Sequence, residues 1–202
     1  MFTGIIKNTG IIELIEKKAN LDILLVVKSD LDSSKIELGA SIAHNGVCLT
    51  VIAKKDNLLS YEISKETVNC TTVANWQKGD LLNIETSLKL GDELGGHLIL
   101  GHVDCITKVA SIKAIEGSKT VSFFLPDKIA KFIATKGSVT IDGVSLTVNE
   151  VDDNSKLFNV NIVPHSFSHT IFKNYTNSTE VNIEVDVIAR YINRSVEIHH
   201  GK

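Results

Sequence analysis

The sequence predicts an all-β protein that consists of two tandem small β-barrels followed by a C-terminal amphipathic α-helix. Three observations favour this fold class: an internal duplication, short apolar stretches broken by turn residues, and many Val, Ile and Thr residues with only two prolines among 202 residues. Branched side chains of this kind favour strands. With 43% hydrophobic and 22% charged residues, the chain has the composition of a globular protein.

The duplication appears when the sequence is shifted by 97 residues against itself. Residues 41–51 (SIAHNGVCLTV) then pair with residues 138–148 (SVTIDGVSLTV), and six of the eleven positions are identical. The same shift places Gly4 opposite Gly101, and two inserted residues bring Asn-Ile-Glu at 83–85 opposite Asn-Ile-Glu at 182–184. The two copies open and close alike, which indicates two similar domains.

Within the first copy, apolar stretches at residues 21–27, 41–52, 58–63 and 81–85 indicate about six short strands. The repeated Asn45-Gly46 and Asp142-Gly143 pairs are typical of tight turns that enter a strand. A small sheet that closes into a barrel has no exposed edge, so a barrel is the expected form. The Gly-rich residues 91–97 are interpreted as the linker, which gives a first domain at 1–97 and a second at 98–185.

The last segment, residues 186–202, is predicted to be an oligomerisation helix and tail. Asp186 can cap its first turn. The helix has no counterpart in the first copy, so its apolar stripe must pack on a barrel or on other chains. The residues of the stripe are Val185, Ile188, Tyr191, Ile192 and Val196.

Charge and cysteine content exclude several classes of protein. The net charge is −3 and the lysines are scattered without interleaved aromatic residues, so no nucleic-acid partner is expected. Three cysteines without Cys-x-x-Cys spacing favour reduced thiols in the cytoplasm. We find no signal peptide and no apolar run long enough to cross a membrane, and we expect no membrane partner.

Chemical motifs are weak when each is taken alone. Residues 143–147 (GVSLT) approach a serine-hydrolase elbow, with His102 and either Asp142 or Asp104 as partners, but Thr147 replaces the final glycine and no strand-to-helix turn is predicted. The pairs His165/His169 and His97/His102 lack a carboxylate partner, so no metal is expected, and His199-His200 is interpreted as a frayed tail. In the simplest interpretation, Cys48 and Ser145 are small core residues behind a turn.

Six segments together resemble the successive signatures of the riboflavin synthase family. They are MFTGII, GASIAHNGVCLTV, KETVNCTT, ELGGHLILGHVD, KGSVTIDGVSLTV and VPHSFSHT, in the family's order, over residues 1 to 194. The resemblance implies two six-stranded Greek-key barrels, each binding one 6,7-dimethyl-8-ribityllumazine, and a homotrimer held by the C-terminal helix. It implies the last step of riboflavin biosynthesis, in which a four-carbon unit passes between two lumazines, without a cofactor, at a site shared by the N-terminal barrel of one chain and the C-terminal barrel of its neighbour. It also raises association with lumazine synthase.

The resemblance assigns substrate-binding residues to both barrels. In the first barrel they are Gly4, Ile5, Ile6, Cys48, Leu49, Thr50, Glu62, Ile63, Ser64, Lys65, Glu66 and Thr67. In the second they are Gly101, His102, Val103, Lys136, Ser145, Leu146, Thr147, Asn161, Ile162, Val163, Pro164, His165 and Ser166. The pair His165-Ser166 stands opposite Glu66-Thr67, so the contacts of the two half-sites with the ribityl chain need not be alike.

Polar groups gather in the second copy, where His102, Lys136 and Ser145 stand opposite Ile5, Gly39 and Cys48. We expect His102 and Ser145 to assist proton transfer or to activate a water, and Lys136 to offset developing negative charge. Cys48, with Thr50, is expected to line the other half-site. Two alternatives stay open: a lumazine-binding antenna protein without turnover, and a duplication that serves stability alone.

Overall fold

A computed structural model describes residues 1–18 and 22–199 and contains two closed antiparallel β-barrels. The strands of the first barrel are β1 (Asn8–Lys17), β2 (Ile23–Ser29), β3 (Ser41–His44), β4 (Val47–Lys55), β5 (Leu58–Ile63) and β6 (Leu81–Thr86). Those of the second are β7 (Cys105–Ile115), β8 (Ser118–Phe124), β9 (Ser138–Ile141), β10 (Val144–Asp152), β11 (Leu157–Ile162) and β12 (Glu180–Val185). The order around the first barrel is β1-β2-β5-β4-β3-β6, and the second barrel repeats it.

Short helices lie between the strands, and one longer helix ends the described chain. They are α1 (Lys65–Cys70), α2 (Asp127–Ala130), α3 (Pro164–His169) and α4 (Val187–His199), with 3₁₀ turns at Ser33–Lys35, Thr72–Asn75 and Ile171–Asn174. In the part of the chain that the structure describes, no helix is long and apolar enough to span a membrane.

The predicted tandem barrels and C-terminal helix are confirmed. The predicted stretch 41–52 forms a hairpin, β3 and β4, with the predicted turn at Asn45 and Gly46, whose φ values are 45° and 78°. Strand β1 was not among the predicted stretches, because its apolar residues do not alternate regularly with polar ones. A bulge between Ile12 and Leu14 shifts the register there. The first predicted stretch begins at Leu21, which lies outside the described residues; its strand runs from Ile23 to Ser29.

Each barrel encloses its own apolar core, and the first core holds a histidine–tyrosine pair at positions where the second core is apolar. His44 packs edge-on against Tyr61 in the first core, with ring centroids 4.4 Å apart, where the second core has Ile141 and Val160. Burial lowers the pKa of His44 to about 3, so its ring is neutral at pH 7. The first core therefore contains a polar group that the second core lacks.

The repeated asparagines of the last strands join the two barrels. Asn83 donates from Nδ2 to the carbonyl oxygen of Asp142 at 2.9 Å, and its Oδ1 accepts from the N–H of Ile171 at 2.9 Å. Asn182 makes the matching bonds to the first barrel, with Asn45 and Thr72 as its partners. All four bonds are buried, so they hold the two barrels in one fixed relation.

The repeated turn glycines permit this close approach. A Cβ atom on Gly46 would lie 2.8 Å from the backbone nitrogen of Gly143, and one on Gly143 would lie 2.7 Å from that of Gly46. Both residues also have φ near +80°, which favours glycine. The two turns, which the sequence indicated separately, therefore face each other at the centre of the molecule.

The Asn45/Asp142 difference places one ionisable group in this interface. Asp142 is buried and accepts hydrogen bonds from the hydroxyl of Tyr175 and from the N–H of Asn182. Burial raises the pKa of Asp142 from 3.8 to about 7 despite these bonds. In the first copy Asn45 accepts the equivalent bond from the N–H of Asn83 without a charge.

Replacing Asp142 with Asn should therefore stabilise the protein in alkaline conditions. Between pH 4 and pH 7 the folded state keeps a proton that the unfolded state has lost, so the free energy of unfolding falls as pH rises. In urea unfolding, we expect the free energy of unfolding of Asp142→Asn to exceed that of the unmutated protein by on the order of 3 kcal/mol at pH 8 and by little at pH 4. The matched control, Asn45→Asp, should make the free energy of unfolding fall more steeply as pH rises. Parallel pH profiles for Asp142→Asn and the unmutated protein would contradict this interpretation.

Candidate functional site

Two short segments precede the barrels, and they pair with each other. We call residues 1–6 the first arm and residues 98–103 the second arm. Phe2 donates its N–H to the carbonyl of Ile99 at 2.7 Å, and Ile99 donates back at 3.1 Å. Both side chains are buried. The openings of the two copies therefore form one small antiparallel unit between the barrels.

Each arm then packs against the other copy's barrel. The carbonyl of Gly4 accepts from the N–H of Ser145, and the carbonyl of Gly101 accepts from the N–H of Cys48, both at 3.0 Å. Ile6 packs on the second barrel's core and Val103 on the first. The backbone of Gly4 and the side chain of Ile6 thus contact the second barrel, and Gly101 and Val103 contact the first. The assignment of the arm residues to one or other lumazine stays a prediction.

Glycine is required where each arm meets its partner strand. Gly4 and Gly101 have φ values of +77° and +78°. A Cβ on Gly4 would lie 2.5 Å from the nitrogen of Ser145, and one on Gly101 would lie 2.5 Å from the Cβ of Cys48. Such distances exclude any larger side chain without displacement of the arm.

Two buried carboxylates, which the sequence showed only as part of a repeat, hold the arms. Glu85 accepts from the N–H and hydroxyl of Thr3, each at 2.7 Å, and from the N–H of Gly4 at 2.9 Å. Glu184 accepts from three consecutive N–H groups at 2.8, 2.9 and 3.0 Å, those of Leu100, Gly101 and His102. Burial raises the pKa of Glu184, and these backbone donors oppose the rise.

The remaining predicted residues lie at one end of each barrel. Cys48, Leu49 and Thr50 are on β4, while residues 62–67 end β5 and begin α1. In the second copy the equivalents are residues 145–147 on β10 and residues 161–166 at the end of β11 and in α3. The side chains of Ile63 and Ile162 point into the cores, so only their backbone groups face outward.

Clefts of ligand size border both the first arm and the second barrel's candidate segment. One of about 440 Å³ is lined by Thr3, Ile5 and Glu85 together with linker residues such as Gly95. Another of about 400 Å³ is lined by Ile162, Pro164 and Phe167 and by the hairpin between β7 and β8. Volumes of this order suit small-molecule ligands.

His97 is a site residue that the sequence analysis missed. Its Nδ1 lies 2.7 Å from the Oγ of Ser145 and its Nε2 lies 3.1 Å from the Oγ1 of Thr140. Burial lowers the pKa of His97, while Asp186 partly opposes this, so the ring is neutral at pH 7. A neutral imidazole between two hydroxyls can accept from one and donate to the other. Among the described residues, no hydrogen bond joins the side chain of Cys48 to a histidine in the same way.

His102 and Lys136 are exposed, and no hydrogen bond between the described residues joins either side chain to Ser145. His102 follows Gly101, whose carbonyl accepts from the N–H of Cys48 in the first barrel, and its side chain is exposed. Lys136 is exposed and has a φ of +67°, where its counterpart Gly39 has +86°. A lysine in this left-handed region is unusual and costs on the order of 1 kcal/mol.

The serine-hydrolase motif and the candidate metal-binding histidines can also be placed in the structure. Ser145 lies within strand β10, so its motif lacks the strand-to-helix elbow of a serine hydrolase. Its imidazole partner is His97 and not the predicted His102. His165 and His169 stack with centroids 4.1 Å apart. Within residues 1–18 and 22–199, no three His, Cys, Asp or Glu side chains form a group suited to a metal. His199 is the last residue of α4, and His200 lies outside the described residues.

The duplicated barrels and their paired sites define a class of protein built from two lumazine-binding domains. The family described as "Lumazine binding domain" matches residues 3–87 and 100–186. The riboflavin synthase of Brucella abortus (strain 2308) is 43% identical over 199 residues, covering 96% of this chain and 97% of that protein. That of Escherichia coli (strain K12) is 36% identical over 198 residues, covering 98% and 92%. The chain therefore belongs to the riboflavin synthase family.

A solved structure shares the fold. The crystal structure of LumP complexed with 6,7-dimethyl-8-(1'-D-ribityl) lumazine aligns with a TM-score of 0.81 at 23% identity, covering 92% of this chain and 99% of that chain. The crystal structure of LumP complexed with riboflavin gives 0.83 at 24% identity, with the same coverage. The tandem-barrel fold is thus common to this chain and LumP.

The environment of His97 can be tested by NMR. We expect the His97 imidazole to titrate below the ordinary histidine value of 6.5, because burial disfavours its charged form. The signals can be assigned by their loss in His97→Gln. In Ser145→Ala the ¹⁵N shift of Nδ1 should change, because the hydroxyl partner is gone. A His97 midpoint at or above 6.5 would be incompatible with the buried, neutral ring.

Proposed function

We propose that this protein is a riboflavin synthase, a transferase that converts two molecules of 6,7-dimethyl-8-ribityllumazine into riboflavin and 5-amino-6-(D-ribitylamino)uracil. The observation that carries the proposal is that one chain assembles two equivalent sites, each from a barrel and the other copy's arm. A reaction between two identical molecules needs two sites of the same kind. The high coverage of riboflavin synthases at 36–43% identity supports the same conclusion.

The reaction needs little from the protein beyond placement and proton transfer. The two products together contain all the atoms of two substrate molecules, so no oxidant, reductant or other reactant is consumed. The lumazine ring is electron-poor and can stabilise the carbanion formed when its C7 methyl group loses a proton. Holding two such rings in contact removes on the order of 7 kcal/mol or more from the barrier, because the encounter becomes effectively unimolecular.

We assign proton-handling roles to Ser145 and His102, and charge compensation to Lys136. Ser145, hydrogen-bonded to the neutral ring of His97, can pass a proton to or from a bound lumazine. His102 acts from the second arm in the first barrel's site, beside Cys48 and Thr50. Lys136, held exposed in a left-handed conformation, supplies positive charge against a developing anion. The thiol of Cys48 lines its site without acting as a nucleophile.

Turnover is the direct test of the proposal. Purified protein incubated with 6,7-dimethyl-8-ribityllumazine should form riboflavin and the pyrimidine product in a 1:1 ratio, measured by absorbance and chromatography. A chelator should leave the rate unchanged. Tight lumazine binding without any product would assign the protein to the antenna class instead.

The proton-handling role of Ser145 can be tested by substitution. Ser145→Ala should lower kcat by about 10²-fold or more with a smaller change in ligand affinity, and Cys48→Ser should lower kcat less.

We further propose that α4 assembles the protein as a homotrimer. Its polar side is fixed to the second barrel, because Arg190 contacts Asp104 at 3.0 Å and Lys131 contacts Glu197. Asp186 accepts from the N–H of Ile188 and so caps the helix as expected. Val185 was wrongly included in the stripe, since it lies on β12 and is buried. The other stripe residues are 48–73% exposed: Ile188, Tyr191, Ile192 and Val196.

An apolar stripe on a helix that is already anchored is available to other chains. Burying each of its large side chains contributes roughly 1.5 to 3 kcal/mol, which makes self-association favourable. In the proposed trimer, the first barrel of one chain faces the second barrel of its neighbour and the two bound lumazines meet there. We also propose a cytoplasmic location, with which the three free thiols are consistent, and association with lumazine synthase.

Charged substitutions on the stripe should separate the subunits. We expect the double variant Ile188→Glu with Ile192→Glu to shift the mass measured by light scattering from trimer to monomer and to abolish most turnover, because reacting lumazines sit on different chains. Circular dichroism should show intact barrels. The control, Arg194→Ala, changes an exposed polar residue of the same helix and should remain trimeric. A monomeric double variant with full turnover would refute the shared site and make the two barrels of one chain the reacting pair.

A further inference from the structure

We propose that Glu85 and Glu184 are positioning residues that act crosswise: each carboxylate, fixed in one barrel, orders the arm that completes the ligand site of the other barrel. The proposal rests on the proposed function, since it takes the sites around Cys48 and Ser145 as the two lumazine sites. It concerns two residues outside every predicted set of binding or catalytic residues.

Glu184 provides the clearer half of the geometry. It lies on β12, opposite Thr140 of the second barrel, and its side chain is buried. Its two oxygens accept all three N–H groups of residues 100–102. The carbonyl of Gly101, in the middle of this run, accepts from Cys48 of the first barrel. A carboxylate of the second barrel thus places backbone at the first barrel's site.

Glu85 repeats the arrangement with the barrels exchanged. It lies on β6, opposite Ala43 of the first barrel. It accepts from the N–H groups of Thr3 and Gly4 and from the hydroxyl of Thr3. The carbonyl of Gly4 accepts from Ser145 of the second barrel. The two halves are equivalent, so each variant has a matched counterpart in the same chain.

The charge of both carboxylates is compensated by the arms. None of the ion pairs between the described residues includes Glu85 or Glu184. Backbone N–H donors therefore supply the stabilisation that a buried carboxylate requires. Replacing Glu with Gln keeps the shape but turns one acceptor oxygen into an NH₂ donor that faces N–H groups. The arm should then leave its place, while the strand that carries the residue is unchanged.

A purely structural role makes the opposite prediction. If each glutamate only stabilised the barrel on which it lies, Glu184→Gln would weaken ligand binding around Ser145, and Glu85→Gln would weaken it around Cys48. The crosswise role predicts the reverse in both cases. The site that loses affinity therefore distinguishes the two roles, even when both variants lose activity.

The experiment reads both sites in one molecule. In a Ser145→Cys background, the alkylation rates of Cys48 and of the thiol introduced at position 145 are measured by peptide mass spectrometry over a range of 6,7-dimethyl-8-ribityllumazine concentrations. With Glu184→Gln, the half-protecting concentration should rise about tenfold at Cys48 and stay within about twofold at position 145. Glu85→Gln should give the reverse. The half-buried Cys105 reports on folding in both variants.

Losses in the same barrel as the substitution, equal losses at both thiols, or no loss would each overturn the proposal. Failure of lumazine to protect either thiol without a glutamate substitution would contradict the proposed function instead. If a Gln variant does not fold, Glu184→Asp and Glu85→Asp retain the charge on a shorter side chain and should show the same crossed pattern with smaller changes. Amide hydrogen exchange should then be faster at residues 100–102 in Glu184→Asp and at residues 3–4 in Glu85→Asp. Unchanged exchange would also overturn the proposal.

Discussion

The hydrogen bonds between buried carboxylates and the arms are the constraint on which both candidate sites depend. The two arms lie outside the strands of the barrels, and among the described residues their one β-bridge joins Phe2 to Ile99. Glu85 and Glu184 satisfy their N–H groups, and the carbonyls of Gly4 and Gly101 face the strands of the opposite copy. Because an unsatisfied buried carboxylate or amide is costly, arms and barrels are ordered together.

Contacts from each copy to the other also hold the two barrels together in this chain. Asn83 and Asn182 fix the barrels face to face through each other's turns, and Gly46 and Gly143 allow the contact. In each candidate site a backbone carbonyl from one copy's arm meets a strand of the other copy, so neither barrel carries both of these groups alone.

The two copies are nearly equivalent, so the positions at which their residues differ are informative. Ser145 has a buried histidine partner, His97, whereas the arm residue that meets Cys48 is Gly101. Asp142 introduces a titratable group where the first copy has Asn45. The two halves thus present different polar groups at equivalent positions, which suits the proposed reaction, in which two identical molecules play different parts.

The sequence by itself determined the features that depend on local pattern. Residues 41–51 and 138–148 establish the duplication, the short apolar stretches predict the barrels, and the stripe at Ile188, Ile192 and Val196 predicts the helix, because each is specified by neighbours along the chain. Only the tertiary structure decided which barrel each arm serves and which histidine meets Ser145. Thr3 and Glu85 are 82 residues apart, and His97 and Ser145 are 48 apart. No periodicity encodes such pairings, because they arise when two closed barrels dock and the remaining buried polar groups must find partners.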